Sequence, residues 1–508
     1  MMGNILYALL FQTSPPVFAR TYGTNGEDGG AIMVRADEGY ALVGYTKSFG
    51  AGGMDILLVR TDTSGAILWA RTYGGSQNEC PNGIVYIPED SGFVVSGWTY
   101  SFGQGLSELL IMRLDKNGDI LWAKTFGGPM MDTVCYAVRL ANGNLGFLGA
   151  TQSYGMDENF DPLVLCLDLS GNLLWNRVFG GSLHDYVGSI APCSDGGCVF
   201  AGDGYSAGFT HLFLYKLRSD GSTEWATQIN ESGVDWPYAT VQTPDGGFTV
   251  AGYTTAYGQG QQDFLLVRFD SEGNLEWAKA YGGASYDRPY SLIQTSEGGY
   301  ALFGETWSFG TLSEAMIVKT DASGNLEWAR TFGSSAFEWG SRLTQEPSGF
   351  YLLSGGTTSF GNGSPDFFLL KIDENGNYGG CVESCSPGVV DIALTTSSPP
   401  DGRTCSPAET NPGLSVGAPT LTLRDACGPP LYEIAEEFYG KGNSKVLCVP
   451  GKGCAVFILG EPDELKIYSG DGRLIYFGHL PEGKNRIALS PGIYLWATRH
   501  QKGRSLVR

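Results

Sequence analysis

Histidine and long apolar runs are scarce in this chain of 508 residues, and acidic residues outnumber basic ones. It has only four histidines, and no stretch reaches the roughly 18 apolar residues that a membrane-spanning helix needs. Lys and Arg number 32 against 53 Asp and Glu, which gives a formal net charge of -21. Such a balance disfavours nucleic acids and anionic membranes as partners. We therefore expect no nucleic-acid partner and no transmembrane segment.

Cysteines are unevenly distributed along the chain. Six of the 11 lie between Cys381 and Cys454, in a stretch rich in Pro, Ser and Gly. The few histidines and the lack of a paired C-x-x-C motif disfavour zinc, so the clustering favours disulfides and an oxidising compartment. We expect one disulfide across the hairpin of Cys193 and Cys198 and another across the turn of Cys448 and Cys454. The remaining candidates, whose pairing the sequence leaves open, are Cys381, Cys385, Cys405 and Cys427.

A repeat of about 52 residues is the dominant feature of the sequence. The segments "WARTYGG", "WAKTFGG", "WNRVFGG" and "WAKAYGG" recur with nearly constant spacing. The anchor residues of the repeat are Phe18, Trp69, Trp122, Trp175, Trp225, Trp277 and Trp328. Each unit contains four short apolar runs separated by Gly-rich turns, which is typical of one four-stranded propeller blade.

The two ends of the repeat predict how the ring closes. The first copy begins with the fourth-strand segment "VFARTYG", and the last copy stops after its third strand. The opening segment would therefore complete the last blade and remove the exposed sheet edges. We predict an all-β protein: a seven-bladed β-propeller followed by a small C-terminal β-sandwich. The predicted units are residues 1–17 as an N-terminal segment and candidate remnant of a signal peptide, 18–380 as the propeller, 381–430 as a Cys/Pro/Ser-rich linker held by disulfides, and 431–508 as the sandwich with the sorting-domain resemblance given below. Residues 1–17 match a signal peptide poorly, because they lack a basic start and a small-x-small cleavage site.

Two columns of acidic residues follow the repeat. The first column, in the loop that enters strand one, comprises Asp28, Glu79, Asp132, Asp185, Asp235, Asp287 and Glu338. The second, before strand three, comprises Asp55, Glu108, Asp161, Asp263, Glu314 and Asp366, with His211 in blade 4. Strands one and three run in the same direction, so both columns should lie on one face of the disc. Sevenfold recurrence favours a structural role in which carboxylates accept turn amides, because a catalytic residue is needed once. Calcium held by carboxylate pairs is the alternative.

Two further columns have simpler interpretations. The Trp of strand four and the Arg or Lys two residues later, such as Trp69 and Arg71, favour packing between blades over sugar stacking. The D-x-x-G segments that begin at Asp62 and its counterparts indicate hairpin turns rather than complete calcium loops.

The repeat resembles a known family of bacterial β-propellers. The segments "GNLEWAKAYGGASYD" and "GGYALFGETWSF" resemble repeats of the SBBP kind, which share a G-N-L-x-W strand, an aromatic-Gly-Gly turn and an acidic residue. The resemblance covers about residues 18–380. It implies the fold and is nearly silent on activity.

The C-terminal segment resembles the sorting domain of cargo of the type IX (Por) secretion system. The similarity lies in the "Y-x-x-x-G-R-L-I" strand and the "L-S-P-G-I-Y" turn and strand. The motif residues are Gly472, Arg473, Pro491, Gly492 and Tyr494. The resemblance implies a bacterial protein that the secretion machinery carries across the outer membrane, then releases or anchors at the surface.

These observations favour a secreted or cell-surface binding or structural module without enzymatic activity. We expect the ligand to be a protein or a glycan. We expect no cofactor, with Ca²⁺ as the alternative, and we expect the protein to be a monomer. The alternative function is an extracellular polysaccharide hydrolase or lyase, which would need a cluster of acids and a base that occurs once. A redox propeller is a third interpretation. Convergence of His211, Asp203 and Trp236 at one mouth of the ring would favour an enzyme.

Overall fold

The computed structural model describes residues 17–206, 209–229, 233–361, 364–378 and 382–392, and shorter segments, mostly strands, up to residue 507. Seven antiparallel sheets follow one another along the chain. The first strand of each sheet contacts the first strands of both neighbouring sheets, so these strands form a closed ring around a central channel. The predicted seven-bladed β-propeller is therefore confirmed.

Each blade has four strands from the repeat, and the first is innermost. Blades 1 to 3 consist of β2 (Asp28–Ala36), β3 (Gly39–Thr46), β4 (Asp55–Asp62), β5 (Ile67–Gly74); β6 (Glu79–Ile87), β7 (Gly92–Thr99), β8 (Glu108–Leu114), β9 (Ile120–Gly127); and β10 (Asp132–Arg139), β11 (Leu145–Thr151), β12 (Asp161–Leu167), β13 (Leu173–Val178), with a short 3-10 helix at Met156–Glu158.

Blades 4 to 7 repeat this arrangement. They consist of β14 (Asp185–Pro192), β15 (Cys198–Ser206), β16 (Phe209–Leu217), β17 (Thr223–Ile229); β18 (Val234–Gln242), β19 (Phe248–Thr254), β20 (Asp263–Phe269), β21 (Leu275–Gly282); β22 (Asp287–Gln294), β23 (Tyr300–Thr306), β24 (Glu314–Thr320), β25 (Leu326–Phe332); and β26 (Glu338–Gln345), β27 (Tyr351–Thr357), β28 (Asp366–Ile372), joined by β1 (Phe18–Gly23).

The N-terminal strand closes the ring, as the sequence predicts. Strand β1 pairs antiparallel with β28, with Phe18 opposite Lys371 and Tyr22 opposite Phe367. The Tyr22 hydroxyl donates to the carbonyl of Gly65 in blade 1 at 2.7 Å. The first segment of the repeat thus completes blade 7 and contacts the blade that follows it in the ring.

The hydrophobic core is divided among the seams between blades. Each of seven clusters of buried residues combines side chains from two adjacent blades. In the cluster between blades 7 and 1, for example, Phe367 and Leu369 pack with Leu42 and Leu57. The alternation of apolar residues along the strands supplies both faces of each sheet, so every blade contributes to two seams.

The segment after the propeller, for which the composition predicts a disulfide-held linker, contains short strands. The described residues of this segment include six short strands, each hydrogen-bonded antiparallel to the outer strand of a different blade, and we call these six strands the belt. Along the chain, the belt passes blades 6, 5, 4, 2, 1 and 7. The belt strands are β29 (Val382–Cys385), β30 (Gly388–Ile392), β31 (Thr396–Ser397), β32 (Ala408–Thr410), β33 (Ser415–Gly417) and β34 (Thr422–Asp425).

The C-terminal strands form two antiparallel sheets of three and four strands, ordered β35-β36-β39 and β38-β37-β40-β41. The predicted packing of these sheets into a sandwich depends on side chains outside the described residues. The strands are β35 (Lys445–Val449), β36 (Cys454–Leu459), β37 (Asp463–Ser469), β38 (Leu474–Leu480), β39 (Gly483–Ala488), β40 (Gly492–Ala497) and β41 (Lys502–Val507).

No helix in the described part of the chain is both long and apolar enough to cross a membrane.

Candidate functional site

The first acidic column lies at the start of the innermost strands, and its carboxylates accept hydrogen bonds from their own blade. Asp132 accepts the amide of Gly128 at 2.7 Å and the hydroxyl of Ser153 at 2.6 Å, and the Thr151 hydroxyl donates to its other oxygen. The corresponding donors serve Asp28, Glu79, Asp287 and Glu338. Asp185 accepts the Gly181 amide at 2.7 Å, and the Asp235 side chain lies outside the described residues.

The second acidic column organises the loop between strands two and three. Asp55 accepts the amides of Ala51 and Gly52, each at 3.1 Å, with a single carboxylate oxygen. Asp263 does the same for Gln259 and Gly260. The other members are Glu108 and Asp161, which also accept loop amides, and Glu314 and Asp366 at the starts of their third strands.

The two columns meet at the seams between blades. A Cβ atom on Gly74, at the end of blade 1, would lie 1.6 Å from Asp55 Oδ1 and 2.8 Å from Glu79 Oε2, the acid that begins blade 2. A Cβ atom on Gly282 would similarly lie 1.7 Å from Asp263 Oδ1 and 2.9 Å from Asp287 Oδ2. The first glycine of the aromatic-Gly-Gly motif is therefore required because two carboxylates occupy the space of a side chain.

Burial of these paired acids changes their protonation. Burial raises the pKa of Asp263 to about 6; the Gly260 amide opposes this shift, and the nearby Asp287 carboxylate adds to it. Burial also raises the pKa of Asp55, with a smaller contribution from Glu79. Asp55 Oδ1 and Asp263 Oδ1 have no hydrogen-bond partner among the described residues. The carboxylates nevertheless have defined roles, since their remaining oxygens hold the loops of one face.

The described part of the chain contains no preformed group of three metal ligands. No three His, Cys, Asp or Glu side chains converge there as a metal site would require. The seams at Gly74, Gly127, Gly180, Gly282 and Gly333 each bring together two carboxylates, and the calcium interpretation stays a prediction.

The Trp column lies at the outside of the blades and links each to the next. The indole nitrogens of Trp122, Trp175 and Trp225 donate to backbone carbonyls of the following blade at 2.9–3.1 Å. The Arg71 guanidinium lies 5.7 Å from the centre of the Trp69 ring. These contacts support packing between blades.

The D-x-x-G segments form the turns between strands three and four. Asp62 accepts the amides of Ser64 and Ala66, and Gly65 has a φ of 80°, which favours glycine. This Asx-type turn recurs at Asp115, Asp168, Asp270, Asp321 and Asp373.

An asymmetric row of aromatic side chains breaks the sevenfold pattern at the rim of the channel, on blades 3 to 5. His184 stacks on Tyr186 at 5.8 Å between ring centres, and Tyr186 stacks on Trp236 at 5.0 Å. Phe160 lies 6.0 Å from His184 at the other end, and its amide donates to His184 Nδ1 at 3.1 Å. We call these four residues the aromatic ladder.

The strand that carries Trp236 is distorted. Every first strand has an irregularity in its pairing, but β18 has two, around Pro237. Trp236 has a φ of 40°, which is unfavourable for a residue with a side chain. Backbone strain of this kind is concentrated at functional sites in proteins. The distortion therefore marks blade 5 as the place where ligand binding is to be sought.

A second asymmetric group, the Arg288 cluster, lies in blades 5 and 6. Arg288 pairs with Glu305 at 3.5 Å, and the Tyr290 hydroxyl donates to the same carboxylate oxygen at 2.7 Å. Tyr238 lies 5.0 Å from Tyr290 and 6.0 Å from Tyr253 between ring centres. The sequence analysis missed this cluster, although its residues depart from the repeat at their positions.

Of the three asymmetric residues predicted from the sequence, Asp203 and His211 lie on opposite faces of blade 4, and Trp236 lies on blade 5. Asp203 lies opposite Tyr186 in the sheet, and His211 lies opposite Gly204. Because adjacent residues of a strand point to opposite faces, Asp203 is on the side of Trp236 and blade 5, whereas His211 is on the other side. His211 Nδ1 lies 3.2 Å from the carbonyl oxygen of Ile229. The three residues do not form one cluster.

The predicted disulfides remain predictions. Cys193 and Cys198 are buried thiols that are not joined, and the register places Cys198 opposite Pro192. Burial raises the pKa of Cys193 to about 12. Cys385 is a half-buried free thiol. The side chains of the other candidates lie outside the described residues: Cys381, Cys405, Cys427, Cys448 and Cys454.

The sorting-motif residues are described only in part. Gly492 and Tyr494 belong to strand β40. Gly472, Arg473 and Pro491 lie outside the described residues.

Residues 243–276 match a known propeller family. The matching model is described as a domain of unknown function (DUF5122) beta-propeller. The match spans parts of blade 5 and agrees with the fold. No curated protein matches the sequence.

Several solved structures are similar to this chain at low identity. A polysaccharide lyase, Uly1, is 8% identical with a TM-score of 0.40, covering 68% of this chain and 90% of the lyase. Sqt1 from Chaetomium thermophilum is 12% identical with a TM-score of 0.40, covering 67% and 82%. A puromycin hydrolase is 13% identical with a TM-score of 0.43, covering 92% and 58%. Such scores carry no argument about activity.

Proposed function

We propose that this protein is a secreted or cell-surface β-propeller that binds a ligand at the rim of its channel without transforming it. The observation that carries the proposal is the aromatic ladder, whose Trp236 lies on the distorted first strand of blade 5. A sevenfold scaffold needs no such asymmetry for its stability. Stacked aromatic rings at a solvent-accessible rim are well suited to binding, because they offer apolar surface at a low entropic cost.

The phenols of the Arg288 cluster support binding rather than catalysis. Burial, followed by the Glu305 carboxylate, raises the pKa of Tyr290 far above neutrality. Burial raises the pKa of Tyr238 in the same way. Protonated phenols donate hydrogen bonds well but cannot remove a proton from a substrate near neutral pH.

A binding screen with the full chain tests this function. Arrays of glycans and of surface proteins are screened with the wild type and with the Trp236→Ala and Tyr186→Ala variants. We expect a ligand whose affinity falls about tenfold in either variant. Tyr100→Ala, which removes an aromatic ring in blade 2, is the matched control and should bind as the wild type does. A ligand that binds both ladder variants at full strength would contradict the proposal.

The alternative of a polysaccharide hydrolase or lyase is favoured by one observation. The Arg288 cluster places a guanidinium, a carboxylate and a phenol within hydrogen-bonding reach of one another. Incubation with any polysaccharide that binds, followed by an assay for new reducing ends and unsaturated products, separates the two functions. We expect no cleavage. Cleavage that is lost in Tyr290→Phe would establish the enzyme instead.

We also propose export through the C-terminal segment. The support is its resemblance to type IX sorting domains, and the partner would be the secretion machinery of a bacterial cell. Expression in a host with this system, with and without residues 431–508, is the test. We expect the full chain in the medium or at the cell surface as a monomer, and the truncated chain in the periplasm. Equal export of both chains would refute this route.

We expect calcium removal to leave the fold unchanged. The carboxylates of both columns already accept amide and hydroxyl hydrogen bonds, which hold the loops without an ion. Thermal unfolding with excess chelator should match unfolding in added Ca²⁺. A melting temperature that falls on chelation would establish calcium in the seams.

A further inference from the structure

Arg342 occupies an unusual position on the inner strand of blade 7. It follows the pairing irregularity of β26, and its side chain is exposed at the channel. Its side chain makes no hydrogen bond or ion pair with the described residues. Arg288 in blade 6, by contrast, is paired with Glu305. Arg342 is thus a guanidinium on the channel wall that lacks a counter-charge in the described part of the chain.

The surroundings of Arg342 make this lack of a counter-charge costly. The neighbouring blades withdraw the guanidinium partly from water, which lowers the pKa of Arg342, while the Tyr136 phenol of blade 3 opposes the shift. Tyr136 lies four residues after the acid that begins the inner strand of blade 3, as Arg342 does in blade 7, so the phenol and the guanidinium lie at the same level of the channel. A charge partly removed from water is stabilised by an opposite charge or by hydrogen bonds. The channel therefore favours an anion beside Arg342.

The chemistry of the rim and channel together identifies a ligand class. We propose that the channel mouth binds a carbohydrate chain bearing a uronic acid, whose carboxylate pairs with Arg342 while sugar rings contact the aromatic ladder. This inference rests on the proposed function. A guanidinium and a carboxylate form strong, charge-assisted hydrogen bonds, often as a bidentate pair. Phenols such as Tyr136 and Tyr238 provide further hydroxyl groups for a sugar.

The positions of Tyr186 and Arg342 along their first strands, together with the net charge of the protein, restrict the class of carbohydrate further. Tyr186 lies one residue after the acid that begins its strand, whereas Arg342 lies four residues after the acid of blade 7. The carboxylate of the uronic acid must therefore enter the channel to reach Arg342, while the neighbouring sugars stay at the rim beside the aromatic ladder. The net charge of -21 repels a polymer that is charged at every unit. We infer isolated uronic acids, at a chain end or on a branch, in an otherwise neutral glycan.

Calorimetric titration of the full chain with matched polysaccharides tests this assignment. The probes are glucuronoxylan, the same polymer after its carboxyl groups are reduced to alcohols, and polygalacturonate. We expect glucuronoxylan to bind at least about tenfold more tightly than the reduced polymer, because only the carboxylate can pair with Arg342. Polygalacturonate should bind more weakly than glucuronoxylan.

Two arginine variants locate the carboxylate. Arg342→Gln should lose the preference for glucuronoxylan over the reduced polymer, and Arg342→Lys should keep part of it. Arg71→Gln, which changes a guanidinium on the outer rim, should keep all of it. Trp236→Ala should weaken binding of both polymers by a similar factor, because stacking does not depend on the carboxylate.

The outcomes separate this inference from the function on which it rests. Equal binding of the native and reduced polymers, or a preference that survives in Arg342→Gln, would overturn the uronic acid assignment. If a neutral glycan or a protein binds in a Trp236-dependent manner while glucuronoxylan does not, the assignment fails and the binding function stands. If no ligand in either screen depends on the ladder, both fail.

Discussion

At the scale of single residues, the repeated glycine of the aromatic-Gly-Gly motif has a steric explanation. Two carboxylates from adjacent blades converge where its side chain would lie. One carboxylate holds the loop before its own third strand, and the other holds the loop before the next first strand. The motif therefore links loop structure to blade packing, and its recurrence reflects a contact that is repeated from seam to seam.

Substitution of Gly74 by alanine should destabilise the propeller. The new Cβ would lie 1.6 Å from Asp55 Oδ1, so backbone or carboxylate must shift. We expect a loss of about 2–4 kcal/mol in the free energy of unfolding, measured by urea denaturation. Gly181→Ala is the control, since a Cβ there meets no atom within 4 Å. Equal stability of Gly74→Ala and wild type would show that the seam is looser than the structure indicates.

The raised pKa of Asp263 predicts a pH dependence of stability. Its value rises from 3.8 to about 6 on folding, so the folded state binds the proton more tightly than the unfolded state. This tighter proton binding stabilises the folded state fully at pH values below the pKa of the unfolded state. The stabilisation is lost as the pH rises through about 6. Asp263→Asn stays neutral and can still accept the loop amides. It should be about 1–2 kcal/mol more stable than wild type near pH 8 and similar near pH 4.

Asp220→Asn is the control for this experiment, because the contribution of Asp220 to stability changes with pH in the opposite direction. The Ser222 hydroxyl and amide lower the pKa of Asp220, so its contribution is present at neutral pH and is lost on acidification. Urea denaturation of all three proteins across this pH range supplies the comparison. A stability difference between Asp263→Asn and wild type that does not grow with pH would contradict the assignment.

The sequence predicted the recurrent residues of the site but not its asymmetric ones. The acidic columns were found because a contact repeated in each blade produces a fixed spacing. Tyr186, Arg288 and Arg342 each occur once at their column positions, and a single aromatic or basic residue has no pattern to distinguish it. Their proximity arises from ring closure, which brings together residues more than 50 positions apart.

At the scale of elements, the belt is the part of the fold that its composition concealed. Its strands have between two and five residues, too short for alternation to be recognised in a stretch rich in Ser and Pro. They pair with the outer strand of six blades, where backbone donors and acceptors would otherwise face solvent. The segment that covers the outer edges of these six blades therefore lies after the repeats in the sequence.

Removal of the belt should expose these edges without opening the ring. A chain that ends at residue 380 retains the β1–β28 pairing and all seven inner strands. We expect it to fold but to self-associate and to be cleaved faster by proteases, because uncovered outer strands can pair with other chains. Light scattering after size-exclusion chromatography and limited proteolysis provide the measurements. A truncated chain that stays monomeric and as resistant as the full chain would mean that belt pairing contributes little.

At the scale of the whole molecule, closure was predictable because it depends on counting. The sequence supplies strands one to three seven times, and the fourth strand of the last blade lies at the N-terminus. Only one arrangement of these strands leaves no unpaired strand edge inside the ring. The position of the C-terminal sheets has no comparable signal in the sequence, because it depends on nonrepeating contacts. The ring is accordingly the best predicted part of the protein, and the proposed ligand-binding rim, which combines blades 3 to 7, is the least well predicted part.

Ring closure through the first strand predicts that a few N-terminal residues control the stability of the entire propeller. Strand β1 contributes Phe18, Ala19 and Tyr22 to the seams, all of them buried. A chain that begins at residue 24 would leave β28 unpaired and the seam between blades 7 and 1 open. We expect this chain to lose cooperative unfolding, whereas a chain that begins at residue 17 keeps β1 and should unfold like the full chain. Calorimetry of the two chains makes the comparison, and a cooperative transition at an unchanged temperature in the shorter chain would show that the ring closes without its first strand.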